Sequence, residues 1–265
     1  MIKIKSCFYL LTIAIFLLFG ETCLYAQPHK QNLNIVFIGN SITHGSGLAN
    51  PATDAPPVIA CNYLRQQSNI GTVEFSNQGH SGFTTLDFLP STGNAFQKVE
   101  AAAHAFTDKR ALLIFSVKLG TNDSAIQGPN GSPVSPEAYK QNLKTIADSL
   151  LKEFPNCIII FQHPVWYSPN TYNGAKYLAE GLSRLQSYIP QIDQLVADYA
   201  VSNPKRVFIG DKKAFSYFKK HYLTDLQPEQ GHQGIFYLHP NVQGAIVLGT
   251  FWGEAISKVV REKSR

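Results

Sequence analysis

The chain has 265 residues, 44% of them hydrophobic, with a formal charge of +5, which suits one α/β domain with a sizeable core and does not point to nucleic acid. No internal repeat or low-complexity segment interrupts it, so solenoid and disordered classes are set aside.

Residues 1–26 read as a signal peptide. Lys3 and Lys5 form a positive start, residues 8–19 are apolar apart from Thr12, and Leu24-Tyr25-Ala26 is an acceptable cleavage site before Gln27. The apolar run is too short for a stable membrane span, and Gly20-Glu21-Thr22 is a poor approach to a lipidated Cys23. The expectation is a secreted or periplasmic protein whose residues 27–265 form a single domain. Cys7 and Cys23 fall in the signal, which leaves Cys61 and Cys157 as a conceivable but disfavoured pair, one in a predicted helix and the other opening a predicted buried strand.

From residue 34 onward strand and helix signals alternate. Residues 35–38 are apolar and β-favouring, a buried strand that stops at Gly39-Asn40-Ser41. A helix is expected over 56–67, a short strand over 72–76, and a helix over 101–106. Residues 111–117 are almost continuously apolar, as in a strand covered on both faces. Helical periodicity follows over 136–154, a strand over 157–161, a long helical stretch over 177–199 that Pro190 should kink or split, and a strand over 206–209. The last helix is expected to start at Pro240 and to bury Val242, Ala245, Ile246, Trp252 and Ile256. Lys212, Lys213, Lys219 and Lys220 read as a solvated helix face. Such alternation predicts a parallel five-stranded sheet in a three-layer α/β/α sandwich of flavodoxin-like type.

In such sheets, ligands sit beyond the carboxyl ends of the strands, and that is where the chemistry-bearing residues concentrate. Ser41 ends the first strand; as a lone feature it would equally serve to cap the following helix. Three further blocks come in order: Asn77-Gln78-Gly79-His80-Ser81-Gly82, Leu119-Gly120-Thr121-Asn122-Asp123-Ser124, and Leu238-His239-Pro240-Asn241. Over nearly the whole chain beyond the signal, this sequence resembles the SGNH hydrolases, the superfamily that includes the GDSL-type esterases. The resemblance implies acyl transfer without metal or cofactor. It makes Ser41 the nucleophile, His239 the base, and the backbone N–H of Ser41, the backbone N–H of Gly79 and the amide of Asn122 the donors of an oxyanion hole. Asp123 is expected to order the loops around the site. His44, His80 and His163 are expected to shape its wall, and His232 is the rival base.

Two departures from the pattern stand out. Asn40 replaces the usual Asp, and Phe236 occupies the position three before the histidine that normally carries the acid. The group orienting His239 is then a backbone carbonyl, the favoured reading, a carboxylate from the polar segment 223–234, Glu229 or Asp225, or another group that the sequence does not identify.

The resemblance to bacterial acetylesterases implies an O-acetylated carbohydrate as partner. Two segments of more than ordinary loop length, 127–136 and 162–176, leave strand ends, and the second carries Trp166, Tyr167 and Tyr172. These aromatics suit stacking on sugar rings, though packing beneath the loop accounts for them about as well. A decayed, carbohydrate-binding relative is the alternative, resting on the missing acid alone. Residues 39–47 lack the glycine spacing of a nucleotide-binding loop.

Overall fold

A computed structural model describes residues 30–92 and 94–263. The expected signal segment, including Cys7 and Cys23, lies outside the described residues. In chain order the first half comprises β1 (Gln31–Gly39), α1 (Ser41–His44), α2 (Pro51–Asp54), α3 (Pro56–Arg65), β2 (Ile70–Gly79), α4 (Ala95–Ala105) and β3 (Leu112–Lys118). The second half comprises α5 (Pro136–Glu153), β4 (Ile158–Phe161), α6 (Leu178–Ser202), β5 (Val207–Ile209), α7 (Ala214–Asp225), β6 (Leu226–Gly231), β7 (Gly234–Pro240) and α8 (Val242–Lys263). Among the described residues no helix is long and apolar enough to cross a membrane.

The five expected strands form one sheet in the order β2-β1-β3-β4-β5, parallel throughout. Strand periodicity divides its side chains between two cores. Leu33, Ile35 and Phe37 of β1 pack with α3, α7 and α8, where Trp252 stacks on Phe37 at 6.2 Å. Val36 and Ile38 point the other way, into α4, α5 and α6. This is the expected three-layer sandwich. It also separates the two cysteines: Cys61 lies in one core and Cys157 in the other, both buried and free. The sheet stands between them, so no disulfide joins them.

Several boundaries differ from expectation. Helix α4 starts six residues earlier than predicted, because Ala95, Phe96 and Val99 already present a buried face. Helix α6 runs through Pro190 unsplit. Pro190 and Gln186, whose carbonyl loses its donor, sit on the exposed side, while Leu185, Tyr188, Ile192 and Leu195 hold the buried side. Pro240 ends β7 and does not begin α8; the Asn241 side chain accepts from the Gly244 N–H (3.0 Å) at the helix start. Val242 and Ile246 are 49% and 42% exposed, so the first turns of α8 do not bury them as expected. Helix α7 and the antiparallel hairpin β6–β7, read from sequence only as a lysine-rich face and a polar segment, are the elements that the pattern did not disclose.

Candidate active site

The chain leaves β1 for one edge of the sheet and returns to β3 on the other side of β1. At such a switch point the loops diverge and leave a crevice beyond the strand ends. Ser41 follows β1 and Asn122 follows β3, so topology alone brings them together. In α1, the helix cap is Asn40, whose Oδ1 accepts from the Ile42 N–H (3.2 Å). Ser41 is therefore not the cap, and its hydroxyl points elsewhere: Oγ lies 2.9 Å from His239 Nε2.

On the far side of the ring, His239 Nδ1 lies 2.9 and 3.0 Å from Glu229 Oε1 and Oε2, and Oε1 also accepts from the His239 backbone N–H at 3.1 Å. The group facing Nδ1 is thus a carboxylate from the neighbouring strand, which corrects the favoured expectation of a backbone carbonyl. Strand β7 explains why Phe236 could not have served. Residues three apart on a strand face opposite ways; Phe236 and Leu238 enter the core while His239 faces the cleft. Asp225 is engaged elsewhere, accepting from the Tyr217 hydroxyl at 2.7 Å. His232, the rival base, stands at the exposed hairpin tip against Tyr172, with ring centroids 4.5 Å apart.

The expected oxyanion donors divide. Asn122 is 3% exposed, donates one amide hydrogen to the Phe83 carbonyl (2.8 Å), and receives the Tyr177 hydroxyl on its Oδ1 (2.8 Å). Burial holds the Tyr177 phenol well above its ordinary range, so it remains a donor and fixes the amide with its nitrogen toward the cleft. Nothing in the sequence signalled Tyr177. Gly79 does not line the cleft. Its N–H goes to Asn77 Oδ1 (2.9 Å), and its missing Cβ makes room for the His44 backbone nitrogen, which a Cβ would meet at 2.3 Å. The glycine that does line the cleft is Gly82, at φ +81°, with open space where a side chain would stand. The second block was therefore read three residues too early.

Ser41, Gly82, Asn122, Tyr177 and His239 line a cavity of about 330 Å³, with Ser46, Ser81, Asn173 and Ala175 also in its wall. Its wall is made where the two long loops zip together, the Lys176 N–H donating to the Gln127 carbonyl at 2.8 Å. The three loop aromatics do not meet the sugar-contact expectation. Trp166 is buried against Tyr222, Tyr167 is wholly buried with its hydroxyl on that of Ser124 (2.9 Å), and Tyr172 packs on His232 outside the cavity lining. The apolar surfaces of Trp166 and Tyr167 serve the packing beneath the loop.

Of the predicted wall histidines, His44 is exposed at the end of α1. His80 is half-buried against Phe83, and burial, then Lys98 and His44, lowers its pKa. His163 is buried on Asp193 (3.0 Å), where burial lowers its pKa against the pull of that carboxylate. None of the three lines the cavity. Asp123 does tie loops together: its Oδ1 accepts from the Thr85 N–H (2.8 Å) and hydroxyl, and its carbonyl from the Val134 N–H (2.9 Å).

The GDSL-like lipase/acylhydrolase family model matches residues 37–245. Solved structures of similar fold include an aryl esterase from M. smegmatis, 13% identical, TM-score 0.57, covering 85% of this chain and 99% of that one. A carbohydrate acetylesterase from Sinorhizobium meliloti is 15% identical, TM-score 0.56, with the same coverage. A two-domain esterase active on acetylated mannans is 15% identical, TM-score 0.54, covering 87% of this chain and 50% of that one. No curated protein matches the chain. With the four blocks assembled at one switch point and the family match spanning most of its length, this chain belongs to the GDSL-like lipase/acylhydrolase family and is a carboxylic ester hydrolase.

Proposed function

We propose that this hydrolase is an exported O-acetylesterase acting on carbohydrate, working through Ser41, His239 and Glu229. The observation that carries the chemistry is the unbroken line from Ser41 Oγ through both ring nitrogens of His239 to the Glu229 carboxylate. His239 Nε2 takes the hydroxyl proton as Oγ attacks the ester carbonyl, and Glu229 holds the Nδ1–H tautomer and balances the imidazolium charge. The alkoxide that develops is met by the N–H groups of Ser41 and Gly82 and the Asn122 amide. His239 then returns its proton to the departing alcohol, and a water molecule, activated the same way, frees the acetate from Ser41. Glu229 supplies the acid whose absence at position 236 favoured a decayed, carbohydrate-binding relative, which supports the hydrolytic reading.

Acetyl as the acyl group is supported by the small cavity and by the carbohydrate acetylesterase among the structural neighbours; carbohydrate as the alcohol is supported by that neighbour and by the hydroxyl and amide groups of Ser46, Ser81 and Asn173 at the rim. Export is supported by the composition of residues 1–26. Acetyl esters are expected to be cleaved at least about tenfold faster than octanoyl esters, a difference of roughly 1.4 kcal/mol in transition-state binding. Acetate release from acetylated sialic acid, xylan, pectin and mannan would identify the sugar. Equal rates on octanoyl esters, or no acetate from any acetylated sugar, would reject the substrate assignment.

Asn122→Ala is expected to lower kcat by roughly 10² to 10³ with KM nearly unchanged, since its amide is realised mainly in the transition state. Steady-state kinetics on 4-nitrophenyl acetate check this, and an effect confined to KM would take Asn122 out of the oxyanion hole.

A further inference from the structure

Beneath the site lies a group that the chemistry above does not use. Lys118 is the last residue of β3, paired in register with Gly39, and is 1% exposed. Fully buried lysines are rare because desolvating an ammonium is expensive, and a Met of similar length would fill the same space without that penalty. Its Nζ donates to Thr121 Oγ1 at 2.7 Å and reaches Asn40 Oδ1 at 3.5 Å. Those two acceptors are not arbitrary. Asn40 immediately precedes Ser41 and caps α1, while Thr121 immediately precedes Asn122.

We propose that Lys118 is a positioning residue for the hydrolysis proposed above, its ammonium fastening the turn that carries Ser41 to the turn that carries Asn122. This inference rests on that reading of the site. Both turns leave adjacent strands and diverge at the switch point, so backbone pairing stops where the reacting groups begin. An ammonium with hydrogen bonds to both sides restores a fixed spacing there.

The titratable group that faces Lys118 is Asp123, from the same turn as Thr121; the β1–α1 turn presents the uncharged Asn40 and Thr43, and the phenols of Tyr139 and Tyr188 from α5 and α6 pack at Gly120. Burial pushes Lys118 down to about 7, with the Asp123 carboxylate opposing. Burial likewise pushes Asp123 up to about 6, against its bonds from Thr85. As pH rises and Nζ loses a proton, the amine keeps two N–H donors but no charge, so the bonds to Thr121 and Asn40 weaken on the alkaline side.

The test is the kinetics of the full chain on 4-nitrophenyl acetate from pH 5.5 to 9.5, comparing wild type, Lys118→Met, Thr121→Val and Ser41→Ala. At pH 6.5, Lys118→Met is expected to lower kcat at least about thirtyfold with KM within about threefold. Wild type should show a fall in kcat on the alkaline side that Lys118→Met lacks, which loss of packing would not produce. Thr121→Val keeps the ammonium but removes its nearer acceptor; a loss of about tenfold in kcat at constant KM is expected, and this decides the matter if Lys118→Met does not fold. If Lys118→Met retains kcat within about threefold, if its pH profile superimposes on that of wild type, or if a folded Thr121→Val is indistinguishable from wild type when Lys118→Met cannot be made, the inference is overturned. These outcomes separate it from the parent reading. Activity that survives Ser41→Ala defeats the Ser41 mechanism itself, whereas activity lost in Ser41→Ala but intact in both other variants defeats the role of Lys118 alone.

Discussion

Ser41→Ala is expected to abolish hydrolysis of acetyl esters, lowering kcat by about 10⁶, while leaving thermal unfolding close to that of wild type. Two observations support so unequal an effect. The Asn40 side chain caps α1, so loss of the Ser41 hydroxyl leaves the cap in place. The hydroxyl's partner is His239 Nε2, whose ring stays clamped by Glu229 from the other side. Removing one oxygen at the cleft floor opens little space, so the substitution subtracts the nucleophile and almost nothing else. Progress curves against a buffer blank, with a melting curve of the same sample, are sufficient. A residual rate above about a thousandth of wild type would count against Ser41 as nucleophile.

For Glu229→Gln the expected loss in kcat is about 10³ to 10⁴, with the fold retained. Its carboxylate accepts a hydrogen bond from Nδ1–H on either oxygen and carries the charge that balances the imidazolium. An amide keeps one acceptor, replaces the other with a donor and carries no charge, so it neither enforces the tautomer nor offsets the developing positive charge. Asp225→Asn is the matched control. That carboxylate accepts from Tyr217 at the end of α7, so its change should leave kcat within about tenfold. His239→Ala in the same assay sets the floor. Should both amide variants stay within about tenfold of wild type while His239→Ala is inactive, Glu229 does not orient the histidine.

Much of this protein was legible from local pattern. The strands, their alternation with helices and the two apolar faces follow from local period, which depends only on neighbouring residues: the run from Leu33 to Ile38 writes its two cores directly into the chain. Ser41, Asn122 and His239 were legible because their motifs, in that order along the chain, resemble those of the SGNH hydrolases. Gly79 and Gly82 show the limit of that approach. Both belong to one motif, and only the path of the backbone after β2 decides which of them enters the cleft and which makes room for α1. The aromatic loop shows the same limit, since the side chains of Trp166 and Tyr167 are turned inward by packing that composition does not encode.

What the tertiary structure alone decided is how distant side chains meet. Glu229 reaches His239 from ten residues away because β6 and β7 pair antiparallel, and β6, polar and carrying a proline, gives a weak strand signal. Tyr177 fixes Asn122 across 55 residues, and Lys118 reaches Asn40 across 78. Such contacts depend on strand order and register, which act over separations where the chain's own pattern holds no information. Local pattern carries the layers, and the resemblance carries the catalytic motifs. Pairing across the hairpin and the switch point determined which carboxylate, which amide orientation and which buried cation complete them.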